Sequence, residues 1–294
     1  MAAPPARSPA RPSTTDCRCS RFPRDREHRQ FHCPPASLTE GLVVNQPLEL
    51  DGTLNFRDVG GVPCGPDRRV AHGRLLRSDT LQVLTADAIH TLVTQLGLRS
   101  DIDLRLAFEV DVEGRGLLAD EPSIAHVHLP LMVEGTNRDG SATPILQQHD
   151  PVVTHYLGYL DSSAPSVVGI VRLLGSPDGP PAIIHCAAGK DRTGVAIAMV
   201  LAAIGCDEND IADEYAAGSH LVDAVLDRLR GMSSYGPALD KLPKEANLTP
   251  PEYIHRFFAG VREAYGSPRE YLMLHGVTDD ELVALKENLT EPVS

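Results

Sequence analysis

The strongest constraint on this chain is a ten-residue segment, His185-Cys186-Ala187-Ala188-Gly189-Lys190-Asp191-Arg192-Thr193-Gly194, set between two apolar runs. The first run, Ala182-Ile183-Ile184, has the length and β-branched character of a short buried strand; the second, 195–204, reads as a helix apolar on every side. A loop leaving a strand and entering a helix N-terminus aims several main-chain N–H groups into one anion-sized concavity. Gly189 suits a tight turn with positive φ, and Gly194 lets the new helix pack closely. Cys186 stands at the mouth of that concavity, where the same N–H groups and the helix dipole favour a thiolate. A thiolate is the form able to attack phosphorus. Arg192, six residues later, can grip two phosphate oxygens with its planar fork. Charge on the equatorial oxygens is then held by N–H groups and one guanidinium, with no cofactor or metal. Ala187, Ala188, Gly189, Lys190, Asp191 and Arg192 are the expected phosphate-binding residues; His185, Thr193 and Gly194 support them. In this reading Thr193 hydrogen-bonds the thiolate as it leaves, and His185 fixes the Cys186 main chain. Cys64 and Cys206 lack such surroundings and read as structural cysteines.

The rest of the pattern places this loop in an α/β fold. Gly65-Pro66-Asp67 is a turn signal for a hairpin. Thr85 can cap a helix carrying Ile89, Leu92, Val93 and Leu96, stopped by Gly97. Ile102, Leu104 and Leu106 alternate with Asp101, Asp103 and Arg105, which predicts a strand, and a second is predicted over 126–131. Residues 151–174 read as one helix. Helical spacing then continues over 207–218, 221–229, 253–265, 268–274 and 279–289, with a broken Gly- and Pro-rich stretch at 231–251. Alternating strands and helices imply a central sheet flanked by helices. The C-terminal helices are expected to form a lid, within one domain spanning 42–294.

Composition narrows the function classes. A net charge of −13 disfavours nucleic acid and anionic membrane as bulk partners. No apolar run is long enough for stable membrane insertion, and 1–40 lack the apolar core of a signal peptide, so a cytoplasmic address is the default expectation, with export by a route lacking a signal peptide left open. Residues 1–40 hold seven arginines against four acids and no hydrophobic period, and are expected to be a disordered basic tail. Cys17, Cys19, His28, His32 and Cys33 within it match no standard zinc spacing. Six cysteines in a chain of 294 residues do not suggest a disulfide framework.

The decapeptide resembles the signature loop, HCxxGKDRTG, of the bacterial atypical tyrosine phosphatases, the tyrosine/serine protein phosphatases. Asn55-Phe56-Arg57-Asp58-Val59-Gly60-Gly61 is similar to that family's NFRDxGG segment. His72-Gly73-Arg74-Leu75-Leu76-Arg77-Ser78 is similar to its GxLxRS segment, and Leu96-Gly97-Leu98-Arg99 with Asp103-Leu104-Arg105 and Glu109 to its LG–DLRxxxE stretch. The resemblance covers roughly 45–290. It implies a phosphatase-like sheet with a helical lid and hydrolysis of phosphotyrosine through a phosphocysteine intermediate, in some members also of phosphoserine, phosphothreonine or phosphoinositides. It further implies that Asp103 supports the loop arginine.

A general acid must protonate the leaving oxygen. The chain has no Trp, so the usual Trp-Pro-Asp loop is absent. Asp191 is the leading candidate and Asp103 the second. Three further readings stand beside phosphotyrosine hydrolysis. Lys190 as a second cation would suit a phosphoinositide or inositol phosphate. A catalytically silent phosphate-binding module would not need the thiol. Sulfur transfer would not need the Gly-Lys-Asp-Arg-Thr-Gly continuation into a helix.

Overall fold

Strand β6 (Ala182–His185) is buried along its whole length because it lies in the middle of the sheet, between β3 (Leu75–Ser78) and β4 (Ser100–Asp103). A strand enclosed on both edges and both faces needs a continuous apolar run, which Ala182, Ile183 and Ile184 supply. The computed structural model describes residues 49–132, 151–239 and 248–293. The five-stranded sheet has the order β1 (Arg57–Asp58), β3, β6, β4, β5 (Ala125–His128). β1 is antiparallel to β3; the other pairs are parallel. A separate two-stranded sheet joins β2 (Arg68–Val70) to β7 (Thr290–Pro292), tying the predicted hairpin to the C-terminal end of the described chain.

One face of the sheet is covered by α1 (Ala86–Thr94), whose Leu92 packs with Leu76, Leu98, Leu118 and Ile183. Thr85 caps it as expected, its Oγ1 accepting from the Ala88 N–H at 3.2 Å. On the other face α5 (Asp191–Ile204) runs through the core. It is flanked by α3 (Pro151–Ser162), α4 (Ala164–Gly175), α6 (Glu208–Ala216), α10 (Pro268–Leu274) and α11 (Asp279–Leu289). α9 (Glu252–Tyr265) packs outside α3 and α6. α7 (Val222–Arg230) rests on the loop itself: Val225 and Leu229 cluster with Ala187, joined by Leu54, Ala188 and Tyr235. α8 (Gly236–Leu239) follows α7. The central sheet flanked by helices is as the pattern predicts; of the C-terminal helices, α7 rests on the loop, whereas α10 and α11 pack against the core helices.

Four local expectations are corrected. The single helix over 151–174 is two, because Pro165 in the first turn of α4 cannot continue a hydrogen-bonded helix. Ser163 at the break donates to the Met132 carbonyl and accepts from its N–H. The strand expected to run to Leu106 stops at Asp103, and α2 (Ala107–Glu113) follows with Leu106 at its N-cap, the Glu109 carboxylate accepting from the Leu106 N–H to close its first turn. α5 starts four residues before the apolar run, so Asp191 to Gly194 form its first turn rather than loop. Finally, Cys64 and Cys206 are joined in a disulfide across 142 residues, pinning the hairpin to the end of α5, whereas the sequence suggested no disulfide. The pairing is invisible in the sequence because only tertiary packing brings the two segments together. The basic extension over 1–40, with its cysteines and histidines, and the 240–247 part of the Gly- and Pro-rich stretch lie outside the described residues.

Candidate active site

The segment after β6 turns through Gly189 with φ +65° and closes on the first turn of α5. A Cβ at Gly189 would lie 2.4 Å from the Ser78 carbonyl oxygen, so the close approach of the loop to β3 requires glycine. A Cβ at Gly194 would lie 2.8 Å from the Tyr215 ring, which fits its expected role in close packing. The outer side of the loop is held by main-chain acceptors. Asn55 Nδ2 donates to the carbonyls of Ala188 and Gly189, each at 3.1 Å, and Arg77 donates to Gly189 O at 2.7 Å. Arg77 is anchored by Glu214 at 2.6 Å, and Arg57 by the same carboxylate at 2.9 Å. The NFRD-like segment thus braces the phosphate loop from behind. Asp58 accepts from the N–H groups of Gly60 and Gly73, which keeps it out of the chemistry.

Cys186 is buried and is the free cysteine among the described residues. Its Sγ accepts from the Gly189 N–H at 3.3 Å and from Thr193 Oγ1 at 3.1 Å. Both donors favour negative charge on sulfur. His185 Nδ1 lies 3.3 Å from the Cys186 carbonyl oxygen.

Arg192 is oriented by Glu109, not by Asp103. The two terminal nitrogens of Arg192 meet the Glu109 oxygens at 2.6 and 2.9 Å. Each of those nitrogens keeps a second N–H for another acceptor. Burial alone would raise the Glu109 carboxyl, but Arg192 outweighs it and holds the group below the usual carboxylate range. Asp103 cannot reach Arg192 because Arg105, two residues on, folds back onto it with bonds of 3.0 and 2.8 Å, and Arg115 adds a third cation at 3.3 Å. Burial would raise the Asp103 carboxyl too, yet His185 and Arg105 overcome this and keep it ionised. A fully buried carboxylate in that setting is a poor proton donor, so Asp103 drops out as a general acid.

Asp191 opens α5 with about a third of its side chain exposed. Its Oδ1 accepts from Tyr156 Oη at 2.6 Å, and Tyr156 Oη in turn meets Tyr215 Oη at 2.6 Å. Lys190 Nζ lies 3.4 Å from Asp191 Oδ2, with its side chain mostly buried. Sequence reasoning missed Glu109 as the Arg192 partner and Tyr156 as the Asp191 partner. Glu109 carried a faint signal, since it closes the DLRxxxE stretch; Tyr156 carried none.

The profile of the tyrosine phosphatase family matches residues 48–291. Among curated proteins, the triple specificity protein phosphatase PtpB of Mycobacterium tuberculosis is 27% identical over 268 residues, covering 78% of this chain and 94% of its own length. A tyrosine-protein phosphatase of Nostoc commune is 26% identical over 212 residues, covering 69% and 70%. The crystal structure of TpbA from P. aeruginosa matches at 17% identity, covering 59% of this chain and 89% of TpbA, with a TM-score of 0.28, too loose a superposition to bear on the site. With a family profile running from residue 48 to residue 291, through every element that shapes the cysteine loop, this chain belongs to the tyrosine phosphatase family.

Proposed function

We propose that this chain hydrolyses phosphotyrosine in proteins, with Cys186 as nucleophile, Arg192 as phosphate clamp and Asp191 as general acid and base. The observation that carries the reading is the convergence on one sulfur: Cys186 Sγ receives the Gly189 N–H and the Thr193 hydroxyl at the head of a buried helix, while Glu109 presents Arg192. In the first step the thiolate forms an S–P bond as the P–O bond to the tyrosine oxygen breaks. Asp191, exposed enough to meet the leaving group, gives that oxygen its proton. The equatorial oxygens are held by the loop N–H groups and the free edge of Arg192. In the second step Asp191 takes a proton from water as the water oxygen bonds to phosphorus. The S–P bond breaks, and the Thr193 hydroxyl stabilises the departing thiolate.

A broader specificity is the second reading. PtpB is described as a triple specificity phosphatase, and Lys190 places an extra cation beside the loop. Phosphoserine and phosphothreonine peptides and a phosphoinositide therefore belong in the same assay. Among the described residues no helix is long and apolar enough to cross a membrane.

The test is hydrolysis of a phosphotyrosine peptide by wild type and Cys186→Ser. The buffer contains chelator and is kept oxygen-free, which preserves the Cys186 thiol without exposing the Cys64–Cys206 bridge to added thiol. Wild-type turnover with none by Cys186→Ser supports the proposal. Substantial turnover by Cys186→Ser refutes the mechanism, and absence of turnover by folded wild type on every phosphomonoester favours a silent phosphate-binding module.

A further inference from the structure

Behind the phosphate loop, on the sheet face away from α5, three strands bring their polar residues into one row. Asp101 and Asp103 of β4 lie in register with His126 and His128 of β5, and Asp103 is in register with His185 of β6. His185 Nε2 lies 3.1 Å from Asp101 Oδ1 and 3.8 Å from Asp103 Oδ1. His126 Nδ1 meets the other Asp101 oxygen at 3.1 Å. The row is thus His126, Asp101, His185, and then the Cys186 main chain.

The two aspartates differ in what balances them. Asp103 has Arg105 and Arg115. Asp101 is 4% exposed and among the described residues meets only the two imidazoles. A buried carboxylate without a cation is costly, so one of those rings must carry the compensating proton. The distribution of carboxylates decides which. His185 Nε2 faces two, Asp101 Oδ1 at 3.1 Å and Asp103 Oδ1 at 3.8 Å, and its Nδ1 lies 3.3 Å from the Cys186 carbonyl oxygen, which can only accept. His126 faces Asp101 alone among the described carboxylates, at 3.1 Å, and is partly exposed. The other charges facing the row are Arg105 toward His185 and Arg115 toward His126, and the main chain of Glu121 also faces His126. On β3 the residue in register with His185 is Ser78, which is uncharged. Burial opposes charge on His185, but Asp101 more than offsets it and raises the ring above its ordinary value.

We propose that Asp101, fixed by His126, is a positioning residue for the cysteine chemistry: it holds His185 as an imidazolium that donates to the Cys186 carbonyl and sets a positive charge behind the thiolate. This rests on the cysteine phosphatase reading but concerns residues outside the loop. Asp101 touches neither substrate nor sulfur and acts only through His185.

The test uses full-length protein and two readouts independent of turnover. ¹⁵N-histidine spectra follow the His185 ring with pH, and mass spectrometry of the Cys186 peptide follows its alkylation by iodoacetamide at pH 6. In wild type, His185 should remain an imidazolium above pH 6.5, where an ordinary imidazole is half titrated. Asp101→Asn keeps the shape and removes the charge. It should leave His185 neutral near pH 7 and slow Cys186 alkylation at pH 6 about tenfold, the equivalent of one unit in the coupled equilibrium. A wild-type His185 already neutral at pH 7 overturns the proposal, and this arm needs no variant to fold. So does a folded Asp101→Asn protein that alkylates at the wild-type rate. Failure of wild type to turn over phosphotyrosine would strike the phosphatase reading instead, and both of these readouts would still report on His185.

Discussion

Glu109→Gln isolates the one contact that presents Arg192 to phosphate. The wild-type pair is bidentate at 2.6 and 2.9 Å, and both side chains are largely buried. Glutamine keeps the volume and one accepting oxygen, but turns an amide N–H₂ toward a guanidinium that can only donate. One charge-assisted hydrogen bond is lost, worth about 1.5–3 kcal/mol. Arg192 stays charged and loses its orientation, so most of that energy should be missing from the transition state. A loss of about 2–3 kcal/mol there is a fall of about 30- to 150-fold in kcat/KM. The companion variant is Asp103→Asn, whose carboxylate engages Arg105 and Arg115 instead. Inhibition by inorganic phosphate separates the two without chemistry. Its inhibition constant should rise about tenfold or more in Glu109→Gln, and Asp103→Asn should stay close to wild type. Thermal midpoints check that both fold. A folded Glu109→Gln enzyme with wild-type phosphate inhibition and kcat/KM within about twofold would refute this account of the clamp. So would an Asp103→Asn enzyme that loses phosphate affinity in its place.

Asp191→Asn should slow aryl phosphates with poor leaving groups far more than those with good ones, by about 10²–10³-fold against less than tenfold; equal slowing across a leaving-group series would remove Asp191 as the acid. Gly189→Ala forces a side chain into φ +65° and against the Ser78 carbonyl at 2.4 Å. It should cost at least about 1–2 kcal/mol by denaturant unfolding and abolish phosphate binding, and a protein of wild-type stability that binds phosphate would contradict the loop geometry. The Asp101 row also predicts a pH window for stability. Asp101 is held below its ordinary value of 3.8, since His185 and then His126 overcome its burial, so its contribution is present above that value and fades as pH falls toward the folded value. His185 is raised above 6.5, so its contribution is full below that value and is lost as pH rises through the folded value. The thermal midpoint should therefore decline above about pH 6.5, and Asp101→Asn should flatten that decline; an unchanged slope in the variant would show that other groups cause it.

Much of the fold was legible because its signals are local. Thr85 caps a helix where the sequence places it, its side chain accepting from the N–H three residues ahead. Pro268 to Leu274 and Asp279 to Leu289 were read with the bounds they have. α2 was missed because Asp101 to Leu106 alternates apolar and polar residues, and a period of two does not say where a strand ends. The end is set by the Glu109 carboxylate reaching back to the Leu106 N–H. The alternation in that strand implies one exposed polar face, yet Ser100 to Asp103 are all buried. Their burial depends on β5 and β6 lying alongside.

The nucleophile, the clamp and the candidate acid were set by the sequence itself. Cys186, Asp191 and Arg192 fall within seven consecutive residues, and a strand–loop–helix of that length has little freedom in where it points them. What tunes them was decided by tertiary structure. Glu109 stands 83 residues from Arg192, Tyr156 is 35 from Asp191, and Asp101 approaches His185 only through the parallel register of β4 on β6. A carboxylate or phenol in a sequence does not reveal which cation or acid it will face. Register and helix packing choose that partner, and burial then gives the contact its energy by removing the water that would screen it.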